Sequence, residues 1–209
     1  MLSYAWGYTI GDIVDILVAH CEAEVLDPKR TYVWICCLCV NQHRVVEDRK
    51  NGEVFPFEEF QAIFYGRVTK IGHVLAMMAP WQDPTCITRI WCVFELFTAS
   101  NNECEVSIAM PPRKSKYFID GMKSGNGVDQ VNKLFKTLSS INVQNAKSSQ
   151  PSDLTHILGL IKDGPGYKDF NVKVSGLIRK WVINVIMGKV DPERKVRGLI
   201  NLNRNMVFF

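Results

Sequence analysis

Apolar segments of strand length alternate along this chain with segments in which apolar residues recur at helical spacing. Two apolar runs are unbroken, at residues 32–40 and 74–81, and neither alternates with polar residues. Strands with this composition are typically covered on both faces, because the connections between parallel strands place helices on both sides of the sheet. The pattern therefore predicts an α/β domain with a central parallel sheet and helices on both faces.

The elements can be located from the same periodicities. Strands are predicted at residues 2–4, 31–40, 71–79, 105–110 and 139–143, the last as an edge strand. Helices are predicted at residues 8–23, 57–70, 90–100, 128–138, 152–162 and 170–187. In the first helix, the apolar stripe predicted to face the core consists of Ile10, Ile13, Val14, Leu17 and Val18.

Two polar segments interrupt this order. Residues 41–54 carry several charges and Gly52, which predicts a long surface loop, and loops of that length in a compact domain are usually functional or mobile. Residues 113–127 are polar and rich in glycine, which predicts a mobile connection. We assign residues 1–188 to one domain and residues 189–209 to a basic C-terminal tail.

The composition indicates which cellular compartment and which classes of binding partner to expect. Seven cysteines are an odd number, and no apolar run reaches half a membrane span, so we expect a cytoplasmic protein with reduced thiols and no membrane partner. From residue 168 onward the chain has nine basic residues and three acidic ones, but aromatic residues do not interleave with them in a nucleic-acid-binding pattern. Such a tail is usually a solvated surface, and nucleic acid is not an expected partner.

One carboxylate stands out in the segment between Ile90 and Ser100. Glu95 is its only acidic or basic residue, and Trp91, Cys92 and Ala99 lie on the same helical face. Removing an unpaired carboxylate from water is unfavourable, so Glu95 should have either a partner or a function. A buried glutamate paired with a backbone group or with Arg89 is the structural alternative.

The cysteine-rich segment offers a weak alternative site. Cys36, Cys37, Cys39 and His43 are potential metal ligands, but strand alternation would point Cys36 away from Cys37 and Cys39, and the paired spacing of zinc sites is missing. We therefore expect no metal, and interpret Cys92 as a core thiol rather than as the nucleophile of a Cys/His pair.

Two short motifs resemble the TIR (Toll/interleukin-1 receptor) domain family. The first strand reads LSYAW at residues 2–6, similar to the family's Ser-Tyr signature, and residues 91–96 read WCVFEL, similar to the Trp-Cys-x-x-Glu-Leu of its third helix. The resemblance covers about residues 1–145 and implies a flavodoxin-like sheet of five parallel strands in the order 2-1-3-4-5. Residues 36–43, CCLCVNQH, look more like TIR-like proteins of microbial eukaryotes than like animal receptors.

The resemblance also implies a reaction and a site. In many TIR enzymes the matching glutamate cleaves the bond between nicotinamide and ribose of NAD, by hydrolysis or cyclisation, in stress or innate immune signalling. Glu95 is then the catalytic residue, NAD is the substrate and no separate cofactor is needed. Where many relatives carry an Arg-Gly or acidic pair after Ser-Tyr, this chain has Ala5, Trp6 and Gly7. The candidate substrate-binding residues are Tyr4, Ala5, Trp6, Gly7, Arg89, Trp91 and Cys92.

Two other functions remain open at this point. One is a non-catalytic TIR module that signals by homotypic assembly, with residues 41–54 as the contact. The other is a nucleoside deoxyribosyltransferase-like enzyme in which the glutamate attacks the sugar. For the NAD-consuming enzyme too, the resemblance implies a homo-oligomer formed through TIR–TIR contacts.

Overall fold

A three-stranded parallel sheet lies at the centre of the described part of the chain. The structure, a computed structural model, describes residues 1–53, 56–80, 84–114 and 141–190, with single positions 116, 120, 129, 132 and 136 between them. The strands are β1 (Leu2–Ser3), β2 (His73–Met77) and β3 (Glu105–Ala109), in the order β1-β2-β3. Leu2 is in register with Leu75, and Leu75 with Ser107.

Helices connect and flank these strands. The helices whose bounds the structure describes are α1 (Ile10–Ala23), α2 (Cys36–Cys39), α3 (Gln42–Lys50), α4 (Phe57–Ile71), α5 (Ile90–Asn101), α6 (Pro151–Asp163) and α7 (Tyr167–Val190). Single 3-10 turns lie at Thr85–Thr88 and Val143–Asn145. No helix in the described part of the chain is long and apolar enough to cross a membrane.

The predicted α/β class is confirmed, and the three strands correspond to the predicted first, third and fourth strands. They lie in the relative order that was predicted for those three. Of the predicted fifth strand, residues 139 and 140 lie outside the described residues, and Val143 begins a 3-10 turn. The predicted helix at residues 128–138, the connection at 113–127 and the tail at 189–209 also lie largely outside the described residues.

The prediction of a buried second strand at residues 31–40 was wrong for Cys36–Cys39, which form a helix. Residues 31–35 belong to none of the three strands, and Cys36–Cys39 form the short helix α2. Tyr32 and Leu38 are 92% and 79% exposed, so this apolar run is not covered on both faces. Only one backbone hydrogen bond among those described, from Leu2 N to Trp34 O at 3.0 Å, joins the segment to the sheet.

The predicted loop at residues 41–54 contains a helix instead. Asn41 begins it: its side-chain oxygen accepts the Arg44 N–H at 3.0 Å, and its carbonyl accepts the Val45 N–H at 3.1 Å. α3 follows, and it is a mostly polar surface helix with Val46 51% exposed.

Local sequence signals explain where α1 and α4 begin and end. The Thr9 hydroxyl accepts the Asp12 N–H at 3.0 Å and caps α1. Gly72 ends α4 at a φ of 71°, a left-handed conformation that glycine adopts without a Cβ clash. The predicted α1 stripe was partly wrong: Ile13 is buried, whereas Ile10, Val14 and Val18 are at least half exposed, because the helix packs through Ile13 and Ile16.

Two apolar clusters cover the two faces of the sheet. α1 packs on one face, where Ile13 and Ile16 meet Leu2, Leu75 and Met77. The other face is larger, and its core includes residues from α4, α5, α6 and α7. Since β2 lies between both clusters, the loops that follow β1 and β2 are held on a rigid base at the carboxyl edge of the sheet.

Candidate functional site

Glu95 lies in the middle of α5, facing the sheet. The helix contributes eight buried residues to the core, and Glu95 is one of them, with 8% of its surface exposed. Among the described residues its Oε2 atom has no hydrogen-bond partner. Unsatisfied buried carboxylate oxygens are rare in folded proteins, so this atom is the first candidate for chemistry.

The environment of Glu95 alters its acidity. Burial raises the pKa of Glu95 to about 7, while a hydrogen bond from the Ser3 side chain and the positive charges of Arg89 and the Met1 amino group oppose the rise. The carboxyl group therefore exchanges between its neutral and charged forms near neutral pH. A group with this pKa can accept or release a proton at little free-energy cost.

Three small polar side chains pack beside this carboxyl group. Ser3, Cys86 and Cys92 are all at most 2% exposed, and the Ser3 hydroxyl lies 3.7 Å from the Cys86 sulfur. Cys92 donates its thiol hydrogen to the Tyr4 carbonyl at 3.3 Å. The neighbouring Cys86 thiol and burial raise the pKa of Cys92, so it remains a neutral thiol that joins α5 to the loop after β1.

The loop after β1 brings Trp6 to Arg89. Tyr4 and Ala5 are buried, Trp6 is 58% exposed, and Gly7 has a φ of 113°, which side-chain-bearing residues rarely adopt. The Arg89 guanidinium lies over the Trp6 ring at 5.3 Å from its centroid. Arg89 is also the residue that precedes α5, so one side chain is electrostatically coupled to Glu95 and stacked on the exposed indole.

Tyr8 is a site residue that was not predicted from the sequence. Its hydroxyl accepts the Ala79 N–H at 3.1 Å, donates to the Ala79 carbonyl and lies 3.1 Å from Thr85 Oγ1. It therefore joins the loop after β1 to the loop after β2. The available signal was its place directly after Gly7, beyond the carboxyl end of a predicted parallel strand, but helical periodicity predicts Tyr8 at the start of a helix.

A second cation lies above Tyr8. The Lys114 ammonium is 5.5 Å from the centre of the Tyr8 ring and 3.3 Å from Asp12 Oδ2. Arg89 and Lys114 thus each cover an aromatic ring of the same loop. Two cations over aromatic rings are suited to a ligand that has both a planar ring and phosphate groups.

Trp91 belongs to a different environment. Its indole N–H donates to Asp153 Oδ2 at 3.1 Å, and its ring packs 4.9 Å from Phe60 and 6.4 Å from Phe57. These contacts join Trp91 to α4 and α6. Trp91 therefore packs between helices and is not part of the site. The other predicted site residues lie on α5, directly before it, or in β1 and the loop that follows it: Glu95, Cys92, Arg89, Tyr4, Ala5, Trp6 and Gly7.

The cysteine cluster differs from its predicted setting. Cys37 and Cys39 are exposed on α2, rather than covered within a strand, and Cys36 donates its thiol hydrogen to the Tyr4 hydroxyl at 3.4 Å. Across the residues that the structure describes, no group of three or more Cys, His, Asp or Glu side chains has the arrangement of a metal site.

Comparison of the chain with protein-family models, with curated proteins and with solved structures gave no match.

Proposed function

We propose that the chain is a TIR-like enzyme that cleaves the bond between nicotinamide and ribose of NAD, using Glu95 as its catalytic carboxylate. The observation that carries the proposal is the buried Oε2 of Glu95, without a hydrogen-bond partner among the described residues, in a carboxyl group with a pKa of about 7. The proposal includes a flavodoxin-like sheet of five strands in the order 2-1-3-4-5, in which residues 31–35, hydrogen-bonded to β1 from Leu2 N to Trp34 O, take the place of the second strand, and NAD binds beyond the carboxyl ends of the strands.

The reaction suits a single carboxylate. When the bond from ribose C1′ to the nicotinamide nitrogen breaks, its electron pair neutralises the pyridinium, so the leaving group needs no proton. Positive charge develops on the ribose, and the Glu95 carboxylate stabilises it. Water then bonds to C1′ and gives a proton to the carboxylate, which is a competent base because its pKa is about 7.

The residues at the loop edge have complementary roles. Trp6 stacks on a ring of the dinucleotide, and Arg89 and Lys114 bind its phosphates. Because Glu95 is only 8% exposed, neighbouring side chains have to move as the substrate enters. No step requires a metal or a separate cofactor, and turnover is expected to survive a strong chelator and a mild reductant.

The direct test is incubation of the purified chain with NAD, at several protein concentrations, with chromatographic measurement of nicotinamide, ADP-ribose and cyclised products. Parallel reactions with 2′-deoxynucleosides and an acceptor base test the transferase alternative. Nicotinamide release proportional to protein supports the proposal. Base exchange on deoxynucleosides without nicotinamide release would replace it with the transferase.

A non-catalytic assembly module is the second candidate, and exposed apolar residues beside the polar helix favour it. Leu38 of α2 and Val46 of α3 are 79% and 51% exposed, on the segment where the contact was predicted. If this surface mediates self-association, Leu38→Lys and Val46→Lys should reduce particle size in light scattering. Lys50→Glu on the same helix is the charge-changing control. Unchanged particle size in both lysine variants would exclude this surface.

A further inference from the structure

The helix α1 carries a second apolar stripe, on the side that faces away from the sheet. Ile10, Val14 and Val18 are 80%, 50% and 51% exposed, and they follow one another at intervals of four residues. Residues with this spacing lie along one face of a helix, so the three side chains form one continuous surface, which we call the outer stripe of α1. A contiguous apolar face on a helix is typical of a surface that another segment covers.

Acidic side chains border the outer stripe. Glu22 continues the four-residue spacing beyond Val18, and Asp15 lies three residues before Val18, so both are its neighbours on the helix surface. Asp12, which pairs with Lys114 at 3.3 Å, lies on the opposite side of the helix. Two copies of the chain that met through this stripe would contribute the same acidic side chains to one contact, which charge repulsion disfavours. The stripe therefore favours an occupant that is apolar and basic.

The C-terminal segment at residues 191–209, which lies outside the described residues, has the complementary composition. It contains four basic residues and two acidic ones, and it is rich in large apolar side chains. Four of the apolar residues recur at intervals of three and four, the spacing of one helical face: Leu199, Leu202, Met206 and Phe209. A segment that is apolar and basic matches a stripe that is apolar and bordered by acids.

The position and length of this segment allow it to reach α1. α7 and α1 are neighbours, because Asn184 of α7 and Ala23 of α1 line the same cavity. α7 ends at Val190, six residues beyond Asn184, which corresponds to a rise of about 9 Å. The 19 residues that follow span about 60 Å when extended, whereas the 14 residues of α1 form a helix about 21 Å long.

We propose that residues 191–209 bind to the outer stripe of α1 in the same molecule, with their apolar side chains on the stripe and their basic side chains beside Asp15 and Glu22. Because the segment is attached to the chain that carries the stripe, its effective concentration at α1 is high. This contact does not depend on the reaction proposed for Glu95, and its tests do not use NAD.

The first test is photo-cross-linking of the full chain with p-benzoylphenylalanine in place of Val14, followed by mass spectrometry. We expect a cross-link to a peptide within residues 191–209, in a species that migrates as a monomer. The same photoreactive residue in place of Tyr65, which is 49% exposed on α4, is the matched control. A cross-linked dimer, or a cross-link to residues 191–209 that is no more abundant than in the control, overturns the proposal.

Hydrogen–deuterium exchange of the full chain tests the apolar part of the contact. The amides of residues 191–209 should exchange about tenfold faster in Val14→Asp than in the wild type, because the variant places a charge in the apolar contact. Val46→Asp, at a valine of α3 that is 51% exposed, should leave their exchange unchanged. Equal exchange in Val14→Asp and the wild type would show that the segment does not cover the stripe.

Charge reversal tests the ionic part of the contact. Asp15→Lys should accelerate exchange of the same amides, and Arg194→Glu together with Arg197→Glu should restore their protection in that background. Asp163→Lys, at the exposed end of α6, is the control and should exchange like the wild type. If the chain with all three reversals exchanges no more slowly than Asp15→Lys alone, the basic side chains do not pair with α1 and the proposal fails.

Discussion

Glu95 and Asp153 are both 8% exposed, yet the structure treats these two carboxylates differently. Asp153 lies in the first turn of α6, where the helix dipole favours negative charge, and it accepts the Trp91 indole N–H at 3.1 Å. Glu95 lies in the middle of α5, and its Oε2 has no partner in the described part of the chain. The two acids are equally buried, but Asp153 has a structural role, whereas Glu95 has an oxygen atom that is available for reaction.

The largest difference between the two acids should appear in turnover. Glu95→Gln keeps the size of the side chain but removes the charge that stabilises the cationic ribose, and we expect NAD cleavage to fall by about 10²- to 10³-fold or more. Asp153→Asn retains an oxygen that accepts the indole N–H and should cleave NAD at close to the wild-type rate. Comparable losses in both variants, with matched folding by circular dichroism, would remove the distinction between the two acids.

The second largest effect should be a dependence of folding stability on pH, caused by Glu95. The pKa of Glu95 rises from 4.5 to about 7 on folding, so the native state binds the extra proton between these values and stability falls as pH increases through this window. The loss is about 3 kcal/mol, at about 1.4 kcal/mol per pKa unit. Urea unfolding at pH 4.5 and pH 8 should show this difference in the wild type and a smaller one in Glu95→Gln.

The same urea experiment also gives the result that would contradict this explanation. At pH 8 Glu95→Gln should be more stable than the wild type, because it buries an amide where the wild type buries a carboxylate. A wild type that is equally stable at both pH values would mean that Glu95 is better solvated than its buried position implies.

Truncation of Asp153 should give a smaller effect with the opposite sign. Asp153→Ala leaves the Trp91 N–H without its acceptor in a partly buried position, and we expect it to lower the free energy of unfolding by about 1–3 kcal/mol. Asp163→Ala, at the exposed end of α6, is the matched control. Equal stability of Asp153→Ala and the wild type at pH 7 would show that the hydrogen bond to the indole does not contribute to the free energy of unfolding.

The smallest expected effect concerns Arg89. Its charge lowers the pKa of Glu95, so Arg89→Gln should move the midpoint of the pH-dependent stability loss upward, with burial remaining the larger influence. Arg44→Gln, on the exposed helix α3, should leave the midpoint in place. A downward movement would be inconsistent with the orientation of Arg89 over Trp6 and towards Glu95.

The spacing of apolar residues predicted two strands of the sheet and the helices that pack on it. β2 and β3 are apolar where helices cover them, and α4 to α7 have apolar residues at helical spacing, so their existence followed from local pattern. The predicted burial of residues 31–40 was wrong because an apolar run is buried only where other elements cover it. Here Tyr32 and Leu38 face solvent. α2 instead forms through local hydrogen bonds such as Cys39 N to Ile35 O at 2.9 Å.

The candidate site was predictable only in part, for a similar reason. Glu95 was identifiable because a lone carboxylate in an apolar helix stands out in any fold. Ser3, Cys86 and Tyr8 depend on contacts between residues more than 70 positions apart, which periodicity does not encode. Lys114 is farther still, since its pairing with Asp12 spans 102 positions.

The burial of α5 has a consequence for how this protein would tolerate change. Its other buried positions hold mainly apolar residues, such as Val93, Phe94 and Leu96, where a polar substitution should lower stability. Position 95 is the exception, because an uncharged side chain there relieves the unfavourable burial of a carboxylate. In a mutational scan selected only for folding, Glu95 would be replaced readily. In a scan selected for turnover it would be retained, which is the trade-off between stability and activity expected of a catalytic position.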